Sequence, residues 1–149
     1  MKLKQLLTAI KYRAEQVPDV DITDLVYDSR KAVPGCAFVC LRGANADGHK
    51  YAKMAAEKGA AVIIAEEIVE APVPVILTDN TRLALAYLSA EFFGHPAEQM
   101  HVIGITGTKG KTTTAFMMRS ILEAAGHKTG VIGTIGVLYG DTLVQTDNT

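Results

Sequence analysis

The sequence predicts an α/β fold: a small mixed α/β domain over residues 1–96, followed over 97–149 by the start of a domain built on a parallel sheet. Three observations carry this reading. Short apolar runs alternate with segments of helical periodicity, the pattern of strands joined by helical crossovers. Gly94-His95-Pro96 ends a long helical pattern and forbids its continuation, which places the domain boundary there. A Gly-rich junction, Gly104 to Thr112, then lies between an apolar run and a second helical pattern.

The elements follow in order. Leu3, Leu6, Leu7 and Ile10 fall at helical spacing, so residues 2–12 read as a surface helix. Lys4, Gln5, Lys11 and Arg13 interrupt the apolar stretch that a signal peptide would need, which makes the cytoplasm the expected compartment. Residues 22–27 alternate as a strand, and DSRKAVPG after them is turn-rich. Residues 36–41 are a short apolar run, followed by the loop RGANADG. Residues 50–58 read as a helix stopped by Gly59. Residues 60–65 and 73–77 read as buried strands, the second an edge or a strand start because of Pro74. Asp79 is the expected N-cap of a helix whose apolar side is Leu83, Leu85, Tyr87, Leu88, Phe92 and Phe93. Beyond the boundary, residues 101–105 read as a buried strand, 111–125 as a helix closed by Gly126, and 128–133 as another strand. Pairing is expected to be mainly parallel.

Composition narrows the function. With 48 % hydrophobic and 21 % charged residues the 149-residue chain is neither disordered nor fibrous. Fifteen basic against 16 acidic residues give a net charge of −1, without the basic excess of a nucleic-acid binder. Mean hydropathy is +0.17 and no apolar run reaches the roughly 18 residues of a membrane span, so neither nucleic acid nor membrane is an expected partner. Cys36 and Cys40 would share one face of a strand about 13 Å apart, too far for a disulfide, and read as small buried hydrophobes. His49, His95, His101 and His127 lack metal-ligand spacing and read as ordinary loop or solvent histidines.

The junction Gly104-Ile105-Thr106-Gly107-Thr108-Lys109-Gly110-Lys111-Thr112 has the parts of a phosphate-binding loop. Gly107 and Gly110 let backbone N–H groups converge on an anion, Lys111 can reach terminal phosphates, and the Thr112 hydroxyl can hold Mg²⁺. The helix behind adds its positive dipole end. Gly-Lys-Ser/Thr alone arises by chance in roughly one chain in ten to twenty of this length, and Ile105 stands where the strict pattern wants glycine. The strand–loop–helix context restores the argument. The residues after Thr112 suffice for one helix, one strand and a tail. They contain no strand-end carboxylate suited to Mg²⁺, so the chain is either a fragment or unable to hydrolyse ATP unaided.

The run GITGTKGKTTT resembles the ATP-binding loop of the Mur ligase superfamily, TGTNGKT in form, with Lys109 where asparagine is common. Tyr27-Asp28-Ser29-Arg30 with Val33-Pro34-Gly35 resembles the DSR…PG segment of that family's tripeptide-forming branch. Gly43-Ala44-Asn45-Ala46-Asp47-Gly48-His49 resembles its uridine-site loop, and Asp147-Asn148-Thr149 the start of its NTT substrate segment. Four motifs in the family's order are more specific than the loop alone, and they span nearly the whole chain. They imply an α/β UDP-substrate domain followed by the start of a P-loop ATPase domain, with the rest of the central domain and a carboxy-terminal amino-acid domain lying beyond. The implied activity is ATP-dependent amide ligation in peptidoglycan synthesis. A diamino acid, meso-diaminopimelate or L-lysine with the former favoured, would be joined to UDP-MurNAc-L-Ala-D-Glu through an acyl phosphate. ATP and Mg²⁺ are the implied cofactors. Gly107, Thr108, Lys109, Gly110, Lys111, Thr112 and Thr113 would hold ATP, Lys111 would be catalytic, and Thr112 would hold the metal. Tyr27, Ser29, Ala44, Asn45, Ala46, Asn148 and Thr149 would hold the UDP-sugar-peptide. The family's modified lysine and acidic metal ligands would fall after residue 149. A cytoplasmic monomer is expected, inactive as 149 residues alone.

Locally, each upstream motif also reads as a plain turn, and Asn148-Thr149 as a frayed tail. Two other functions stand beside the ligase. A small kinase or NTPase would need a strand-end acidic residue and an arginine-rich lid. A non-catalytic module would bind a UDP-sugar through residues 1 to about 95. Folate and cyanophycin ligases share the loop but not the DSR…GANADG pair.

Overall fold

A computed structural model describes residues 1–43 and 46–145. The chain divides into two compact units, Met1–His101 and Val102–Thr149.

The first unit is built on a four-stranded parallel sheet in the order β1-β2-β3-β4, with β1 Leu25–Val26, β2 Ala37–Val39, β3 Val62–Ala65 and β4 Val75–Leu77. Period-two alternation divides its side chains between two faces. Ala37, Val39, Val62, Ile64 and Ile76 point to one face, where they meet Leu3, Leu6 and Leu7 together with Ala84 and Leu88. Leu3 and Leu6 lie on α1 (Leu3–Leu6); Ala84 and Leu88 lie on α3 (Thr81–Phe92). Cys36, Phe38, Cys40, Ile63 and Ala65 point to the other, against Ala52 and Ala55 of α2 (Ala52–Glu57). Alanines on α2 let that helix lie close to the strands. Both cysteines are free and buried on one face, and burial pushes the Cys40 thiol up to about 12. β4 is an edge, as Pro74 foretold. Its open side is covered in part by Arg13, which exchanges two backbone hydrogen bonds of 2.8 Å with Leu77.

Local differences from expectation have local causes. The amino-terminal helix is four residues of α1 followed by a 3₁₀ turn over Leu7–Ala9, because Ile10 is already extended. The cap of α3 is Asn80 rather than Asp79: its side chain accepts from Leu83 N–H at 2.9 Å, while Asp79 pairs with Arg13. At the carboxyl end of α3, Gly94 and then His95 both turn left-handed, φ +73° and +52°, before Pro96.

In the second unit, α4 (Lys111–Ala124) is followed by an antiparallel meander of β5 Gly130–Gly133, β6 Gly136–Tyr139 and β7 Thr142–Val144. The expected parallel pairing does not extend here. Two-residue turns, Thr134-Ile135 and Gly140-Asp141, bring the strands back directly, and Gly140 takes the positive φ such turns need. The buried strand expected at 101–105 is absent: the segment carries no regular structure and Val102 and Ile103 are exposed. No described strand pairs with it, and an extended segment without a ladder partner is not a strand.

Phe38 is the largest fully buried side chain. Phe38→Ala should lower unfolding free energy by about 3–5 kcal/mol, read as a shift of the urea midpoint; a loss below about 1 kcal/mol would mean that this face is not close-packed.

Candidate functional site

Two clusters of expected site residues occur, one in each unit. In the second unit the loop from Gly104 to Gly110 enters α4 directly. Gly107 has φ +151° and Gly110 φ +79°, and a Cβ added at Gly110 would meet nothing within 4 Å. Conformation rather than space therefore calls for glycine there. Gly110 is the N-cap of α4 and no side chain caps that helix. The first N–H groups of α4, at Lys111, Thr112 and Thr113, have no carbonyl one turn behind them within the helix. Lys111 Nζ folds back and donates to Gly107 O at 2.6 Å, which puts the ammonium over the loop. Thr108, Lys109, Lys111, Thr112 and Thr113 are exposed. Positive charge, free N–H donors and a hydroxyl are a donor set suited to a polyphosphate. For Mg²⁺ the set offers the Thr112 hydroxyl. Glu123 lies about 16 Å further along α4 and is engaged by Arg119 and Thr129.

In the first unit Tyr27, Ser29 and Ala46 lie at the carboxyl edge of the parallel sheet. Strands β1 and β2 are adjacent and parallel, so the loops that leave them emerge side by side. Tyr27 and Ser29 follow β1, and Ala46 lies in the loop after β2. Ser29 is buried; Tyr27 is exposed. Asp28 organises its turn: it accepts from Arg30 N–H at 2.9 Å and receives the Arg30 guanidinium at 2.7 to 3.1 Å. These contacts hold its carboxyl at about 2, below the ordinary 3.8. After β2, Gly43 N–H donates to Ala46 O at 2.8 Å and Gly48 N–H to Leu41 O at 2.8 Å, closing the loop on itself. A Cβ on Gly48 would stand 2.7 Å from Leu41 N, so glycine is needed for space. Ala44, Asn45, Asn148 and Thr149 lie outside the described residues.

The reading of His49 as an ordinary loop or solvent histidine is corrected here. It is buried, and both ring nitrogens are engaged. Glu66 N–H donates to Nε2 at 3.0 Å, so the ring proton sits on Nδ1, which donates to Asp47 Oδ1 at 2.6 Å. The His49 bonds hold the Asp47 carboxyl below its usual range. Glu66 in turn accepts from Thr81 N–H and Oγ1 at 2.9 and 3.0 Å, which caps α3 and lowers the Glu66 pKa. Arg42 reaches Glu67 at 2.8 Å and approaches Asp47 and Glu66 at 3.7 and 3.8 Å. Asp47, His49 and Glu67 bring ligand atoms within 4.8 Å of one another, but His49 has no free lone pair, so the trio is a hydrogen-bonded brace rather than a cation site. Sequence reading missed Arg42, His49 and Glu66. Asp-Gly-His is a turn signal, and nothing in it announces that the histidine turns inward.

The Mur ligase family catalytic-domain model matches residues 21–93, and the Mur ligase middle-domain model matches 105–149. The chain belongs to the Mur ligase family. A relative from Bacillus licheniformis, named UDP-N-acetylmuramoyl-L-alanyl-D-glutamate--2,6-diaminopimelate ligase, is 48 % identical over 153 aligned positions, covering 100 % of this chain and 31 % of the relative. The Mur ligase chain thus spans less than a third of that relative's length. Among solved structures, the UDP-N-acetylmuramoylalanyl-D-glutamyl-2,6-diaminopimelate--D-alanyl-D-alanyl ligase from Acinetobacter baumannii is 36 % identical, with a TM-score of 0.65 over 81 % of this chain and 27 % of that one. The MurF ligase from Thermotoga maritima, solved in complex with ADP, is 31 % identical, with a TM-score of 0.55 over 68 % of this chain and 23 % of that one.

Because the Asp28 pKa is lowered on folding, the stabilisation it gives is present above its ordinary value of 3.8 and is lost as pH falls through about 2. Asp28→Asn should therefore flatten part of the acid loss of thermal stability. The effect is modest, since Arg30 is largely exposed. Superimposable pH profiles for wild type and variant would refute the pairing.

Proposed function

We propose that this chain supplies the UDP-substrate domain, residues 1–96, and the opening of the ATP-binding domain, residues 97–149, of a cytoplasmic, monomeric ATP-dependent amide ligase of peptidoglycan precursor synthesis. The ligase adds a diamino acid, meso-diaminopimelate in preference to L-lysine, to UDP-MurNAc-L-Ala-D-Glu. The observation that carries this reading is the uncapped start of α4 behind a glycine-bent loop with Lys111 folded over it, in a chain whose relatives bear that ligase's name. The ADP complex of the Thermotoga maritima MurF ligase supports an adenine nucleotide as a ligand. No helix among the described residues is long and apolar enough to cross a membrane.

In the proposed reaction a substrate carboxylate oxygen attacks the γ-phosphorus of ATP and the bond to the bridging oxygen breaks, giving an acyl phosphate and ADP. The amine then attacks the acyl carbon, the tetrahedral intermediate expels phosphate, and the amine proton is lost to solvent or a base. Within this chain, Lys111 leaves the Gly107 carbonyl for the terminal phosphate oxygens. There it stabilises the charge that builds during transfer, as the catalytic residue of this segment. The N–H groups of Gly107, Thr108, Lys109 and Gly110, with those of Lys111, Thr112 and Thr113 at the start of α4, cradle the phosphates. The Thr112 hydroxyl is the chain's ligand for Mg²⁺, which supplies further charge neutralisation when bound. Tyr27, Ser29 and the Ala44-Asn45-Ala46 loop hold the UDP moiety, and Asn148 and Thr149 approach the sugar-peptide. Alone, the 149 residues bind without ligating.

Calorimetric titration of the chain tests both halves. Wild type should bind Mg·ADP, and Lys111→Ala should weaken it by about 10–100-fold, the worth of a charge-assisted hydrogen bond. UDP-MurNAc-L-Ala-D-Glu should bind independently and be weakened by Ser29→Ala. A folded chain that binds neither ligand would remove the assignment.

A further inference from the structure

We propose that Arg119 is a positioning residue for the phosphate loop: it ties α4, from which the loop hangs, to the turn between β6 and β7. The inference rests on the nucleotide reading given above. Among the described residues, the hydrogen bonds of residues 104–110 run to α4 itself. Lys111 Nζ donates to Gly107 O at 2.6 Å, and Thr114 N–H donates to Gly110 O at 2.9 Å. The loop has no ladder partner, so its place follows that of the helix. Little else holds the helix. None of its 14 residues is buried, and Met117 and Ile121 are 63 and 69 % exposed. Gly110 brings no capping side chain. The first turn is Lys111-Thr112-Thr113-Thr114, and β-branched residues favour a helix poorly. A helix of this length is marginal in water without tertiary support.

Arg119 supplies that support. Its side chain is only 15 % exposed. Nη2 donates to Gly140 O at 2.8 Å, across 21 positions, and Nε donates to Glu123 Oε1 at 2.7 Å. The same carboxylate oxygen accepts from Thr129 Oγ1, just before β5, at 2.8 Å. These bonds hold the Glu123 carboxyl below its ordinary 4.5. One guanidinium thus joins the middle of α4 to the far turn of the meander, and the carboxylate it meets joins the end of α4 to the approach of β5. A largely buried guanidinium is costly to leave unpaired, so these bonds fix the direction of the helix. A helix held in one place presents its first N–H groups and Lys111 ready arranged. A helix start that must form as the anion arrives binds it more weakly, in proportion to the time it is unformed. Arg119 stands about 12 Å along the axis from Lys111. It touches no phosphate in this account and acts through the helix.

Calorimetry and amide NMR on the full chain separate positioning from general damage. Arg119→Ala should weaken Mg·ADP binding about three- to tenfold and shift the Gly107 and Gly110 amide signals, with UDP-MurNAc-L-Ala-D-Glu binding unchanged. Arg119→Lys keeps a cation beside Glu123 but loses the guanidinium fork that spans to Gly140. It should fall between wild type and Arg119→Ala, and it decides the matter where Arg119→Ala does not fold. Ser120→Ala, exposed on the same turn and bonded only to Phe116 O of its own helix, should bind Mg·ADP as wild type does. A residue that merely stabilised the unit would leave both the affinity and the loop signals of the folded chain unchanged. Folded Arg119 variants that bind Mg·ADP as wild type does, or that bind it weakly with the Gly107 and Gly110 signals unmoved, would overturn the positioning role and leave the nucleotide reading intact. A folded wild-type chain that does not bind Mg·ADP would overturn the nucleotide reading, and this inference with it.

Discussion

The first unit depends on burying the central strands β2 and β3 on both faces. Every side chain of Ala37–Val39 and Val62–Ala65 is buried, and the two apolar clusters lie on opposite sides of those strands. Four strands in sequential order, all parallel, oblige each connection to return across the sheet before the next strand begins. Each strand then hands its chain to the same edge. That is why Asp28, Asp47, Glu66 and Asn80, far apart in sequence, all stand at one carboxyl end. Three of them cap the turn or helix that follows directly, and Glu66 caps α3 from the next loop. The edge is a row of backbone N–H groups supplied with carboxylates or amides.

How much of this was legible in the sequence depends on the range of the deciding interaction. The buried strands at 60–65 and 73–77 were readable because apolar runs of that length have few other uses; 36–41 read only as such a run, and its cysteine pair fell on one face as period two requires. The helix ends at Gly59, Gly94 and Gly126 were equally local. The segment 101–105 misled because its composition is that of a central strand, and composition cannot supply a ladder partner. The meander after Gly130 was present in the turn residues, above all Gly140-Asp141, but short strands with exposed faces lack the apolar signal that identified the others. At the site, the phosphate-type loop and the Asp28 turn were visible because their residues act on neighbours. Arg42, His49 and Glu66 were not, because their roles come from contacts across 15 to 25 positions.

The loop after β2 shows how one tight contact sets a chemical choice. Gly48 passes so close to Leu41 that a side chain there would strike backbone. The approach turns the next residue inward, towards the end of β3, where Glu66 N–H projects beyond the last ladder bond. A residue that fills this place must accept from that N–H while meeting the Asp47 carboxylate, which itself can only accept. Among neutral side chains, imidazole offers an acceptor and a donor on opposite sides of one rigid ring. Leucine would leave the N–H unpaired at a cost of about 1–3 kcal/mol, and lysine would bring a charge without an acceptor. The backbone geometry thus selects the side chain, and the selected side chain carries a protonation state with it.

The same backbone chemistry is used in two opposed ways at the helix starts. Both α3 and α4 begin just after a loop, with unpaired N–H groups and the positive end of a dipole. At α3 the chain answers its own demand: Asn80 takes the Leu83 N–H, and the Glu66 carboxylate takes Thr81. That helix end is neutralised and serves the fold. At α4 the N-cap is Gly110, which has no side chain to offer, and the first turn is lysine and threonines rather than an acid. Replacing a capping amide by glycine costs only a few tenths of a kcal/mol, a small loss against what an anion gains from converging N–H groups. Lys111 meanwhile rests on Gly107 O, an acceptor weaker than a phosphate and easily exchanged for one. Satisfied, the helix start is structure; left open behind two glycines, it is where we propose that a ligand's charge sits.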